Sequence, residues 1–412
     1  MGSLLRKSLP VSTLVVAIDP GKAQNRVWLT RDDPELIVEP LTLPVLRSGL
    51  ERLDGLVRQH APDGRTVFAV EATGGLHRAW VGDLSRRFPD CVRVFAPSET
   101  AAARAQLGSR RFKTDDRDCA ALTYLARQGQ GRAVPSGDHQ GLLDAVRHRR
   151  GLILERKVAQ QRLHDQVNAL CPGLSAPPGH GRKLDLAGVT GQAVLDCLVA
   201  FAGRPASARS LRARATGRLT DADARFWSQR WKDCLPAVPD TTTAAARLGR
   251  AVARWRALSA DIALVDADIE VLLAGTEGQV LTSLPGVKAS RAGAFAAFSM
   301  PIARFPDAEH LYSATGLAPA TYQSSTINRR RGISRQGLPE HRDALMSIAW
   351  GLSMHCESFA ERAEELRNRG MQPMQARVAL ARHVCRLAHR MMTTQDTFDE
   401  QRYRQGRHQT GR

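Results

Sequence analysis

Two short apolar runs that each close on a carboxylate constrain this chain more than any other feature. Leu14 to Ile18 ends at Asp19-Pro20-Gly21, and Val67 to Val70 ends at Glu71 before the loop Ala72-Thr73-Gly74-Gly75. An apolar run this short, bounded by turn formers, reads as a buried strand rather than a helix. Arg26 to Thr30 reads as a second strand hairpinned to the first, and Val92 to Phe95 as another before Pro97. Helical stretches lie between and after them. The clearest opens near Thr114, where a hydroxyl and carboxylates precede Ala120, Leu122, Tyr124 and Leu125, the make-up of an N-cap and first turn. Residues 1–138 are expected to form an α/β domain around a mixed sheet with flanking helices.

Neighbouring strand ends can bring their terminal side chains close together. Asp19 and Glu71 would then meet, and Asp115 and Asp118, three apart on a helix, would add two carboxylates from one face. Clustered carboxylates repel one another, and a hard cation with oxygen ligands relieves that repulsion. Two such ions roughly 3.5–4 Å apart stabilise both the attacking and the leaving oxygen of an in-line phosphoryl transfer. The same residues also suit ordinary turns and helix caps, so spacing alone leaves both readings open. Asp116 should point away, and Lys113 is placed either to reach a phosphate or to remain a solvated charge.

Further on the strand signal fades. Leu142 to Leu170 reads as a long charged helix stopped by Pro172-Gly173, and residues 174–239 are rich in Gly, Pro and Ala. From Leu248 the apolar residues Val252, Trp255, Leu258, Ile262, Val265, Ile269 and Leu272 follow in steps of three and four, ended by Gly275. That is close to a heptad seam. It fits a coiled coil between protomers or an antiparallel pairing with the 142–170 helix of the same chain. Residues 139–276 are therefore expected to be a helical coiled-coil region.

The remainder, 277–412, is expected to be mainly helical. It opens with Leu284-Pro285-Gly286-Val287 between two helical runs, which suits either the turn of a helix-hairpin-helix that holds a DNA phosphate or a plain connector. Gly316-Leu317-Ala318-Pro319 follows, then Gln323-Ser324-Ser325-Thr326, then Arg329, Arg330, Arg331 and Arg335. The serines suit a polar loop before a basic helix as readily as a reactive position. The last dozen residues are polar and expected to fray.

Charge narrows the partners. Over 412 residues, 59 Lys and Arg against 41 Asp and Glu leave +18, a field that attracts nucleic acid first and acidic lipid second. The arginines beside the serine loop read as phosphate clamps or as a solvated basic surface. As clamps they would position a strand without reading its sequence. Seven cysteines without a CxxC pair support neither a disulfide framework nor a thiolate zinc site, and fit a cytoplasmic protein. No run approaches the roughly 18 apolar residues of a membrane span.

Taken together, Val16-Ala17-Ile18-Asp19, Val70-Glu71-Ala72-Thr73-Gly74, Lys113-Thr114-Asp115-Asp116-Arg117-Asp118 and the distal Gly316-Leu317-Ala318-Pro319 with its Ser and Arg tract resemble the DEDD-type insertion-sequence transposases. These are relatives of the Piv DNA invertase, and members have been recognised as bridge-RNA-guided recombinases. The resemblance spans nearly the whole chain. It implies an RNase-H-like (RuvC-like) first domain with Asp19, Glu71, Asp115 and Asp118 as a Mg²⁺-binding tetrad for two ions. A coiled-coil segment would follow, then a transposase domain supplying a nucleophilic serine that forms a covalent phosphoserine link with DNA. The family usually shows Ser-Gly after the Gly-Leu-Ala-Pro block, and this chain lacks that Gly. Counting from Pro319 favours Ser324; counting back from Ile333 favours Ser325. The implied partners are donor and target DNA, a guide (bridge) RNA and further copies of the chain, as a dimer or tetramer.

Three other readings remain open at this stage. A RuvC-type junction-resolving nuclease would use metal-activated water, with the serine incidental. An actin-like sugar kinase would use Asp19-Pro20-Gly21 as a phosphate loop, but a second such loop is lacking. A non-catalytic nucleic-acid-binding protein would leave the carboxylates idle.

Overall fold

The structure, a computed structural model, describes residues 8–10, 12–31, 36–62, 64–108, 113–134, 137–175, 182–324 and 327–410. The chain divides into two compact units, Met1–Gly137 and Asp138–Arg412.

The first unit is built on a six-stranded mixed sheet. In chain order its elements are β1 (Leu14–Asp19), β2 (Gln24–Thr30), β3 (Leu41–Pro44), α1 (Arg47–His60), β4 (Thr66–Glu71), α2 (Arg78–Arg87), β5 (Val92–Phe95), α3 (Pro97–Gln106), α4 (Asp115–Arg127) and β6 (Arg132–Ala133). The strands lie in the order β3-β2-β1-β4-β5-β6. β1 pairs antiparallel with β2 and parallel with β4, so the hairpin expected at Asp19-Pro20-Gly21 forms. The short strands β3 and β6 complete the two edges, with too few apolar residues for periodicity to reveal them.

Alternation along the strands sorts the core into two layers. Leu14, Val16, Ile18, Phe68 and Val70 pack with Leu53, Trp80 and Leu84 of α1 and α2. Val15, Ala17, Ala69 and Phe95 pack instead with Ala103 of α3 and with Cys119, Leu122 and Leu125 of α4. Small residues on this second face let α4 sit close to the sheet.

The second unit holds α5 (Gly137–Leu170), α6 (Val189–Ala200), α7 (Ala208–Ala215), α8 (Asp221–Asp233), α9 (Thr241–Ala274), α10 (Ala289–Ser299), α11 (Ala308–Ala314), β7 (Pro319–Ser324), β8 (Ile327–Ile333), α12 (Pro339–His355), α13 (Glu357–Asn368), α14 (Pro373–Thr394) and α15 (Glu400–Thr410). α9 begins where the Asp240 carboxylate accepts from the backbone N–H groups of Thr242 and Thr243, at 3.0 and 3.1 Å. It runs antiparallel to α5, as the ion pairs Arg149–Asp266 and Arg254–Glu155 show.

The heptad seam lies within this one chain. Leu248 and Val252 join a core with Leu163, Val167, Leu195 and Trp227. Leu258, Ile262, Val265 and Ile269 join another with Leu142, Val146, Phe295, Ile348 and Val384. A coiled coil between protomers through these residues therefore gives way to the intrachain pairing, because each seam residue already has cover. The second core also ties the far half of α9 to everything after it.

Two local expectations change. The segment before Leu284-Pro285-Gly286-Val287 is a 3₁₀ turn over Gln279–Ser283 rather than an α-helix. The expected polar tail is helical as far as Thr410 in α15, whose start is anchored by Glu400 accepting from Ser358 N and Oγ at 2.8 and 2.7 Å and by Tyr403 stacked on Phe359. Among the described residues no helix is long and apolar enough to cross a membrane.

Candidate catalytic centre and nucleic-acid interface

Because Ile18 is the register partner of Val70 in the parallel pair, the next residues, Asp19 and Glu71, end adjacent strands side by side. Both continue the series facing α3 and α4, since side chains two apart share a face. Glu71 is 5 % exposed and accepts from Thr73 Oγ1 at 2.7 Å, a contact made by the loop that stops the strand.

α4 delivers the other acids from its first turn. Thr114 caps it, its Oγ1 accepting from the Arg117 N–H, and carboxylates there are favoured by the free N–H groups and the helix dipole. Asp118 is 1 % exposed, whereas Asp115 is exposed. Asp116 turns aside as its position required: Arg26 Nε and Trp28 Nε1 donate to it at 2.6 and 2.8 Å. The hydrogen bond from Arg26 holds its carboxyl below the usual range.

The remaining acids feel one another. Burial, then the charges of Asp118, Glu71 and Asp115, raise the Asp19 carboxyl to about 7, with Lys113 opposing the rise. Burial also raises Asp118, although Arg104 and Lys113 pull it down. Arg104 Nε stands 2.7 Å from Asp118 Oδ1 and Lys113 Nζ 3.9 Å from Oδ2. The first contact is not aligned as a hydrogen bond and the second is too long for one, so both buried oxygens of Asp118 are left without a donor. Charge compensation is present while directed hydrogen bonding is not.

A set of oxygen donors with two orphaned carboxylate atoms suits a hard divalent cation. As they stand, however, no three such side chains among the described residues converge closely enough to hold one. Arg104 supplies the missing positive charge in this arrangement. Sequence reasoning passed over Arg104; its one signal is a lone cation in the alanine run of α3, Ala101-Ala102-Ala103-Arg104-Ala105. Thr73 was likewise seen only as part of a loop.

In the second unit the stretch read as a loop before a basic helix is an antiparallel hairpin, β7 with β8. Ser324 ends β7 opposite Ile327, and Tyr322, Thr321 and Ala320 pair with Arg329, Arg330 and Arg331. Ser325 lies outside the described residues. A Ser-Thr connection carries neither Gly nor Asn, so the usual hairpin signal was missing.

The base of this hairpin explains the Gly316-Leu317-Ala318-Pro319 block. Ser334 N donates to Ala318 O at 2.8 Å and Arg335 N to Gly316 O at 3.0 Å. Gly316 has φ +69°, and a Cβ on Gly337 would meet Ala314 O at 2.0 Å and Gly316 N at 2.5 Å. Two glycines are needed for the backbones to cross there. Arg335 is exposed with φ +58°, and Arg342 keeps a buried Nη1 with no hydrogen-bond partner under the same crossing.

Residues 16–172, which include all four acids, match the transposase model DEDD_Tnp_IS110, and residues 278–364, which include the hairpin, match the model described as Transposase IS116/IS110/IS902 family. The chain belongs to the IS110-family DEDD transposases. It is thus a DNA transposase, and DNA is its substrate. No curated protein matches the chain. The two matched stretches follow the order of the motifs, and residues 173–277 of this transposase lie outside both.

Proposed function

We propose that this IS110-family transposase cuts and rejoins DNA at a centre in which Asp19, Glu71, Asp115 and Asp118 hold Mg²⁺, two ions in all, and Ser324 is the nucleophile. The observation that carries the reading is the gathering of these acids at one end of the sheet, where burial first, and the charges of Asp118, Glu71 and Asp115 after it, raise Asp19 to about 7. When bound, the ions lower the cost of negative charge on the attacking and leaving oxygens. Asp118 contributes its two unpartnered oxygens, Glu71 is oriented by Thr73, and Lys113 draws the phosphate toward the acids.

Serine is a weak nucleophile unless its proton is removed. Its Oγ forms the new bond to phosphorus, a deoxyribose hydroxyl leaves with a proton, and the phosphoserine keeps the phosphodiester energy for a later attack by another hydroxyl. Joining therefore needs no ATP. Arg329, Arg330, Arg331 and Arg335 clamp phosphates beside the serine. Since such clamps carry no base information, a guide RNA paired with the DNA supplies target choice, and the reaction is run by a homo-oligomer.

The test is incubation of the purified protein, with its co-purified RNA, Mg²⁺ and DNA bearing the element ends, followed by a denaturing gel. A protein–DNA adduct is expected. It is lost in Ser324→Ala, retained in Ser325→Ala, and reduced at least about a hundredfold in Asp118→Asn. Adduct loss only in Ser325→Ala moves the nucleophile by one residue. Strand cutting without any adduct would instead establish the metal-activated water of a junction-resolving nuclease. Ribonuclease treatment that leaves target choice intact removes the guide RNA from the scheme.

A further inference from the structure

We infer that a cleft between α5, α10 and α12 in the second unit binds one unpaired nucleotide of a nucleic-acid strand. Its volume is about 340 Å³, and its walls include Arg147 and Leu154 of α5, Arg291 and Phe298 of α10, and Glu340 and Ser347 of α12. That is near the lower end of small-ligand sites, roughly 300–1,000 Å³, and suits a single ring-bearing group rather than a duplex.

The charges of the cleft are unequally matched. Arg150 is paired with Asp343 at 2.9 Å and Arg149 with Asp266, while Arg147 and Arg291 have no carboxylate partner among the described residues. These two guanidinium groups are available to an anion. Both also lie over rings, the Arg147 guanidinium carbon 5.9 Å from the Phe298 centroid and that of Arg291 5.6 Å from that of Trp350. Trp350 is 43 % exposed beside the cleft, and Leu154 is 55 % exposed on its wall.

Arg291 is set in place by the backbone. Its Nη1 donates to Gly286 O at 2.5 Å, within the Leu284-Pro285-Gly286-Val287 turn. A Cβ on Gly351 of α12 would come within 2.8 Å of the same Nη1. Glycine inside a helix costs stability, and here its lack of a side chain leaves room for the guanidinium.

A free phosphate would use the two arginines but not the apolar wall, and it would be repelled by Glu340. An apolar ligand would leave the cations unused. A nucleotide accounts for all three: its phosphate faces Arg147 and Arg291, its base stacks on the Trp350–Arg291 plate or against Leu154, and a base amino group donates to Glu340. Only an unpaired base exposes both its faces and its edge. This rests on the nucleic-acid chemistry proposed above, but not on the metal-binding acids or the serine.

The experiment uses the full-length protein stripped of RNA, with fluorescein-labelled oligothymidylate, oligouridylate and a blunt duplex, read by anisotropy, and a 2-aminopurine-containing single strand, read by quenching. Wild type is expected to bind a single strand and to quench 2-aminopurine. Trp350→Ala and Arg147→Ala should each weaken single-strand binding by about tenfold, with the duplex little changed, and Trp350→Phe should restore the quenching. Tighter binding of the deoxy or the ribo strand assigns the nucleotide to DNA or RNA. Unchanged single-strand binding in both alanine variants, with melting curves like wild type, overturns the inference. Reading the binding in chelator separates the two proposals, because single-strand affinity measured there needs neither bound metal nor strand joining.

Discussion

At Asp19 the physical conflict is between a sheet that seats the carboxyl among like charges and the cost of ionising it there. Its folded-state pKa, about 7, lies above the ordinary 3.8, so the folded chain holds a proton that the unfolded chain has lost. Stability is full below the unfolded value and falls as pH rises from about 4 to about 7. With the metal chelated, Asp19→Asn should melt like wild type near pH 4 and be more stable at pH 8. The expected gain is roughly 1–2 kcal/mol once solvent screening is discounted. A melting series across pH with chelator checks this, and equal curves at pH 8 would remove the conflict. Arg104 acts in the opposite direction. Removing it leaves Asp118 buried beside other acids, so Arg104→Ala should destabilise by about 3 kcal/mol in chelator and regain more from added Mg²⁺ than wild type does. Asp19, Glu71, Asp115 and Asp118 were legible as acids at strand ends and a helix start. Arg104 was not, because a contact from a different helix leaves no mark in spacing.

At the scale of elements, the strands β1, β2, β4 and β5 were readable because buried strands are written as short apolar runs. The hairpin was not. Its second strand, Ile-Asn-Arg-Arg-Arg-Gly-Ile, carries apolar side chains only at its two ends, so neither period two nor 3.6 stands out. What makes it a strand is the crossing at its base. Gly337→Ala places a methyl group 2.0 Å from Ala314 O, and the crossing must open. Strand joining should fall at least about tenfold while most helical circular dichroism persists; wild-type joining in this variant would show that the crossing does not set the hairpin. α9 was readable as a seam but not as to its partner, since a heptad pattern does not say whether the cover comes from the same chain. Ile262 is 5 % exposed among residues of its own chain. Ile262→Ala should therefore cost about 2–5 kcal/mol with a melting temperature independent of protein concentration, whereas concentration dependence introduced by the change would place the seam between copies.

For the whole molecule, the excess of 59 basic over 41 acidic residues acts as a long-range field, and its consequence is salt dependence. Single-strand affinity should fall steeply and linearly on a log–log plot against salt. Charge-neutral variants such as Trp350→Ala should leave that slope unchanged while Arg147→Ala reduces it by about one counterion; identical slopes would show that Arg147 touches no phosphate. What the sequence determined by itself was local or additive: the sheet-forming runs, the acids that end them, the caps, the seam and the net charge, all properties of neighbours along the chain or of simple sums. What the tertiary structure decided was which distant residues meet. Parallel register set Asp19 beside Glu71, the packing of α3 set Arg104 against Asp118, and a helix glycine made room for Arg291. Such meetings depend on packing between elements far apart in sequence, where no local periodicity records the partner.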